Sequence, residues 1–135
     1  MSVVAVNKIV IPVHISRTFI QEHKDYYFIY SHDVAGKSIF GQSWCAHTEP
    51  NAFPVPVMWK SCKSSGYFSD TQFDEICKLI DAALQKIPCD GKPIIPFRKI
   101  GEGYSRMKEF ASKSFAYMRK KIDEIAYPNI EIKYY

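Results

Sequence analysis

The sequence predicts an α/β fold, a three-layer α/β/α sandwich on a mixed central sheet, as a single domain over residues 1–135. Three observations lead there. Short runs of β-branched and aromatic residues alternate along the chain with two long amphipathic segments. A chain of 135 residues buries about two thirds of the surface its unfolded form exposes, enough for one core without staples. Hydrophobic residues make up 47% and charged residues 24%, which is globular composition and argues against disorder.

The elements follow in order. Val3 to Val13 is rich in β-branched residues and reads as a strand interrupted at Asn7 and Lys8. Ser16 to Lys24 reads as a short helix with Ser16 as N-cap and Phe19 and Ile20 on its buried side. Tyr26 to Tyr30 is a short strand. Ser31 to Gln42, with two glycines, reads as a loop. Phe53 to Trp59 holds Pro54 and Pro56, so as a strand it must be short, irregular or paired on one side only. After a polar loop, Phe73, Ile76, Cys77, Ile80, Ala83, Leu84 and Ile87 fall at helical spacing, with Asp70 or Thr71 as cap and Pro88 as stop. Pro93 to Phe97 is a buried strand. A loop with Gly101 and Gly103 then feeds a second helix, capped by Ser105. Its stripe is Met107, Phe110, Ala111, Phe115, Met118, Ile122 and Ile125. Asn129 to Tyr135 alternates as a terminal strand.

Several function classes fall away. No apolar run approaches the roughly 18 residues of a membrane span. Lys8 inside the first apolar stretch, with no small-residue cleavage site after it, does not fit a secretory signal. Four cysteines without a Cys-x-x-Cys pair, and no signal peptide, lead us to expect reduced thiols in the cytoplasm. The net charge of +4 is uneven. Between Arg98 and Lys121 there are eight basic and two acidic residues, while the rest of the chain is slightly acidic. Asp123 and Glu124 offset part of the run, so it is a weak nucleic-acid footprint. Binding of DNA or RNA through Arg98 to Lys121 stands as a third reading behind the two given below. Arg98, Lys99 and Arg106 instead flank the second glycine loop, where they would neutralise a phosphate.

Two loops share a physical design. Gly36 to Ser43 and Gly101 to Ser105 both lie between a strand and a helix. Glycines there let backbone N–H groups approach a ligand, and ligands of open α/β sheets sit beyond the carboxyl ends of strands. The same glycines also serve as plain turns.

Tyr27-Phe28-Ile29-Tyr30-Ser31-His32-Asp33, then Phe40-Gly41-Gln42-Ser43, then Glu49-Pro50-Asn51-Ala52-Phe53-Pro54-Val55-Pro56 form an ordered set. They are joined by Tyr67-Phe68-Ser69-Asp70, Ile100-Gly101-Glu102-Gly103-Tyr104-Ser105 and Ala111-Ser112-Lys113-Ser114-Phe115. This set resembles a family of small uncharacterised phage and bacterial proteins with the pattern "FGDN…GGQA…RGEPNAIGIPTK…GIGTGLA…APKTF". The order is also similar, more distantly, to that of macrodomains, whose two glycine-rich loops grip the diphosphate of ADP-ribose. The chain departs from the family pattern at Tyr30-Ser31-His32-Asp33, at Phe40-Gly41-Gln42-Ser43 and at Gly101-Glu102-Gly103. The last places a carboxylate where a phosphate would sit.

The resemblance implies a ligand site of Ser31, His32, Asp33, Gly36, Phe40, Gly41, Gln42, Ser43, Asn51, Ile100, Gly101, Glu102, Gly103, Tyr104, Ser105 and Arg106. Asp33 is a candidate general base or ribose ligand, and an Asx turn explains it equally well. His32 stands at the strand exit, where a single histidine is more often structural than catalytic. Glu49 is a candidate acid-base group beside the Pro50-Asn51 turn. Gln42 and Asn51 carry amides suited to ribose or base edges, and Tyr104 is the best-placed stacking ring. Cys45, His47 and His32 lack the paired spacing of a zinc site, so no metal and no cofactor is expected.

The expected function is to bind an ADP-ribose-type or related cyclic nucleotide, sequestering a host signal as a phage counter-defence protein in the host cytoplasm. The altered loops favour binding over turnover. The alternatives are an interaction module on the same scaffold and a hydrolase of ADP-ribosyl or nucleotide bonds. The expected partner is a small nucleotide, with no membrane and no nucleic acid. The aromatic content points to self-association into a homo-oligomer.

Overall fold

The computed structural model describes residues 7–36, 42–60, 66–126 and 130–134, with the side chains of residues 7, 8, 104 and 130–134 outside that set. In chain order these form β1 (Asn7–Ile11), α1 (Arg17–Glu22), β2 (Tyr27–Asp33), α2 (Gln42–Ala46) and β3 (Ala52–Met58). Then come α3 (Phe73–Leu84), β4 (Ile94–Pro96), α4 (Met107–Phe110), α5 (Ser112–Ala126) and β5 (Ile130–Tyr134). The chain is thus α/β, as its alternation predicts. The expected opening of the first strand, before Asn7, lies outside the described residues.

The mixed sheet needs correcting. The named strands pair only in parallel, as a two-stranded sheet β1-β5 and a three-stranded sheet β3-β2-β4. The antiparallel pairing described is one isolated bridge, Met58 to Tyr67. Helix-length connections between consecutive strands make parallel pairing the natural outcome. β2 is central, and Tyr27 to Tyr30 are all buried, as a parallel strand covered on both faces requires. β3 pairs with β2 alone among the named strands. Pro54 and Pro56 are two residues apart, so the N–H groups they lack face one side of the strand, and β3 meets β2 with the other.

The core gathers Phe28, Ile29, Ile76, Ile80, Ile95, Met118 and Ile122 between strands and helices. Ser16 caps α1 as expected, its hydroxyl accepting the Phe19 N–H at 3.1 Å. Two other expectations change. The helix expected from Ser105 onward breaks at Ala111 into α4 and α5, and its cap is Arg106 in the left-handed region. The break resets the buried face to Ser114, Met118, Ile122 and Ala126, at a spacing of four. Phe110 and Ile125, expected in the stripe, are 48% and 38% exposed. Asp70 does not cap α3. Ser69 caps the 3-10 turn at Asp70–Gln72, and the Asp70 carboxylate instead accepts the Lys113 and Ser114 N–H groups at 2.9 Å, capping α5 from outside its own segment.

Candidate ligand site at the carboxyl ends of the strands

β2 extends further than expected, through Asp33, where a bulge between His32 and Asp33 shifts the register against β3. Bulges often re-aim side chains next to functional sites. At that point the His32 Nδ1 lies 2.8 Å from the Asp33 Oδ1 and accepts the Asp33 backbone N–H at 2.9 Å. The Asp33 side chain is 1% exposed and that of His32 is 12% exposed. Tyr30, two residues back, packs its ring 5.9 Å from His32 and 6.4 Å from Phe97. Burial raises the Tyr30 phenol pKa above its ordinary value, against a downward pull from the Arg17 charge.

Gln42, the first residue of α2, joins the two loop regions. Its Oε1 accepts from the Ser31 N–H at 2.9 Å and the Ser31 hydroxyl at 3.0 Å, and its Nε2 donates to the Arg98 carbonyl at 2.6 Å. β2 and β4 are hydrogen-bonded from Tyr27–Ile94 to Ile29–Pro96, and Phe97 N–H still reaches the Ile29 carbonyl. The Gln42 amide therefore fills the gap just where these two strands part.

A cavity of about 400 Å³ opens at that gap, lined by Val13, His14, Ile15, Gln42, Cys45, Phe97, Arg98 and Lys99. The lining comes from the segments following β1, of the two-stranded sheet, and following β2 and β4, parallel neighbours in the three-stranded one. Its apolar side is Val13, Ile15 and Phe97. Arg98 and Lys99 are exposed and cationic, and Lys99 is held at φ 58°, a conformation its side chain strains.

The second glycine loop divides into inward and outward parts. Ile100 and Gly101 are buried, and a Cβ on Gly101 would stand 2.9 Å from Phe115 and Met118 of α5. Gly103 is exposed at φ 71° with open space beside it. The Glu102 carboxylate, a repulsive group for any phosphate, is paired with Lys108 at 3.3 Å. The Ser105 hydroxyl is buried without a hydrogen-bond partner among the described residues, and Arg106 is exposed.

The remaining predicted residues stand elsewhere or serve the fold. Glu49 accepts from Arg17 at 2.8 Å and from Gln21 at 3.1 Å. Asn51 donates its amide to the carbonyls of Ile20, His23 and Tyr26, tying α1 to the start of β2. Ser43 is buried inside α2, and Gly36 makes an exposed turn on Asp33. Phe40, Gly41 and the Tyr104 side chain lie outside the described residues. Of the predicted ligand residues, His32 and Asp33 follow Ser31 on β2 as a pair of their own, while Gln42 lines the cavity and holds Ser31 by two hydrogen bonds. Val13, His14, Ile15, Cys45 and Phe97 were not expected there. Their signal was position, since they follow strand ends or open a helix, as the two glycine loops do.

Cys45, Cys77 and Cys89 are free thiols. Among the described residues no helix is long and apolar enough to cross a membrane. The model of a family of unknown function (DUF7831) matches residues 10–121. No curated protein and no solved structure matches.

Proposed function

The chain belongs to that family of unknown function, and we propose that it binds an ADP-ribose-type nucleotide in the cavity where β2 and β4 part. The observation that carries this reading is the position and lining of that cavity. It combines an apolar wall of Val13, Ile15 and Phe97, suited to a base, with Arg98 and Lys99 at the rim, suited to a diphosphate. The Gln42 bridge supports a clamp between two strand-to-helix loops, the arrangement for which a macrodomain-like reading was expected. The pairing of Glu102 with Lys108 turns its charge toward α4 and removes one objection to an anionic ligand. Calorimetric titration with ADP-ribose, cyclic ADP-ribose and NAD tests the proposal. Heat and a melting shift with at least one are expected, and neither with any of the three overturns it.

A second reading, an interaction module that self-associates, draws on Trp44. It is 62% exposed and borders a separate cleft with Ser16, Arg17, Cys45 and His47. Concentration-dependent sedimentation that disappears in Trp44→Ala would favour it.

A further inference from the structure

The cleft beside Trp44 has no part in the binding reading, yet it adjoins the nucleotide cavity. Cys45 lines both. The segment between β1 and α1 also serves both, with Val13, His14 and Ile15 on the cavity and Ser16 on the cleft, followed there by Arg17. On α2, Gln42 faces the cavity, while Trp44 and the following His47 face the cleft. The two hollows, of about 400 and 420 Å³, therefore adjoin along one helix and one connecting segment, with Cys45 between them.

Their chemistry differs. The cavity carries Arg98 and Lys99 at its rim. The cation of the cleft, Arg17, is already committed. Its Nη1 donates to the His47 carbonyl at 3.0 Å and to Glu49 Oε1 at 2.8 Å, and its Nη2 to the Trp44 carbonyl at 2.7 Å. Glu49 offsets the charge, so the cleft offers little to a second phosphate. What it does offer is a flat apolar surface. The Trp44 residue is 62% exposed, and an indole face open to water is a stacking surface for a planar ring. The turn beside the cleft is also strained. Thr48 is β-branched and stands at φ 73°, an outlier for such a side chain, and Arg17 Nη1 reaches its hydroxyl at 3.3 Å. Strain of this kind persists where the surroundings over-determine it, and it clusters at ligand clamps.

Resting on the binding reading above, we propose that the cleft is a second subsite of the same ligand, filled by an aromatic ring stacked on Trp44. The adenine lies on the wall of Val13, Ile15 and Phe97, and the diphosphate meets Arg98 and Lys99. The far end of the ligand then passes Cys45 and lays its ring on the indole. The ligand class is thus a dinucleotide with a planar ring at each end, such as NAD, in preference to ADP-ribose, whose far end is a bare sugar.

The experiment uses the two tryptophans, Trp44 and Trp59. Trp59→Phe leaves Trp44 as the one indole reporter, and the full chain is titrated with NAD and with ADP-ribose by fluorescence, with calorimetry on wild type in parallel. NAD is expected to bind about tenfold tighter than ADP-ribose, the scale of one stacked ring, and to quench Trp44. Trp44→Ala should bring NAD affinity down to that of ADP-ribose, and Trp44→Phe, which keeps a ring, should retain most of the difference. Equal affinities for the two ligands, or NAD affinity unchanged in folded Trp44→Ala, overturn this proposal and leave the binding reading standing. So does equal quenching by ADP-ribose, which would put the adenine on Trp44. Trp44 emission that responds to protein concentration and not to NAD overturns it in favour of a second copy of the chain on this face. No heat with either ligand removes both readings.

Discussion

Gly101 and Gly103 sit two residues apart, both at positive φ, yet they answer to different constraints. Gly101 faces α5, and a methyl group there meets Phe115 and Met118 at 2.9 Å. Gly101→Ala is therefore expected to destabilise by about 2–3 kcal/mol, from left-handed strain plus overpacking. Gly103→Ala meets nothing and should cost only about 1 kcal/mol of strain. Urea unfolding of both variants checks the contrast, and equal losses would refute it. Ser105 gives the opposite sign. Its hydroxyl is buried without a partner among the described residues, so Ser105→Ala removes a desolvated group and should be neutral or stabilising. A clear drop in the urea midpoint would show that the hydroxyl has a role its surroundings do not reveal. A glycine pair in the sequence says only that positive φ is available. Which of the two packs and which is open depends on a helix ten or more residues further on.

α5 is held at its start by the approach to α3 and about one turn further on by α3 itself. Burial disfavours the Asp70 carboxylate, but the N–H groups of Lys113 and Ser114, the Ser114 hydroxyl and the Lys113 charge outweigh it and lower its pKa below the ordinary 3.8. A lowered carboxyl pKa stabilises fully above the unfolded value and is lost as pH falls through the folded one. Asp70→Asn is thus expected to cost about 1 kcal/mol at neutral pH, the usual scale of a lost cap. The deficit should vanish in strong acid, as urea midpoints across pH would record. Further along α5, the Tyr117 hydroxyl donates to both oxygens of Asp81 on α3, at 2.8 Å each. That hydrogen bond, aided by burial and the Asp81 charge, pushes the phenol up to about 12. Its contribution is complete below pH 10 and disappears as pH rises from 10 toward 12. An ultraviolet titration should show one tyrosine ionising last, and Tyr117→Phe should abolish that late phase. Elements with strong periodicity, such as α3, and the Ser16 cap of α1 were legible in the sequence. The break at Ala111 and the capping of α5 by Asp70 were not. No local propensity marks a cap supplied 43 residues upstream of Lys113.

At the scale of the molecule, the candidate site is made by the segments that follow β1, β2 and β4, and only part of it was legible. The glycine loops pointed to the carboxyl ends of β2 and β4. The wall of Val13, His14 and Ile15 after β1 was hidden, because a single sequence does not show which strand ends converge. Lys99 now links site and fold in one testable residue. It lines the cavity as a cation, and its backbone is held at φ 58°. Asparagine tolerates that conformation better than lysine and carries no charge. Lys99→Asn should therefore change free and bound protein in opposite directions. Relief of about 1 kcal/mol of strain corresponds to a melting temperature about 3 °C higher without ligand. Ligand at about 100 times Kd stabilises wild type by about 2.7 kcal/mol, or about 10 °C for a chain of this length. If Lys99 meets a phosphate, a tenfold weaker Kd removes about 1.4 kcal/mol of that, roughly halving the shift at the same ligand concentration. Thermal melts of both proteins with and without ADP-ribose distinguish the parts. A lower melting point for the free variant would refute strain at Lys99. A ligand shift equal to that of wild type would place the phosphates away from it.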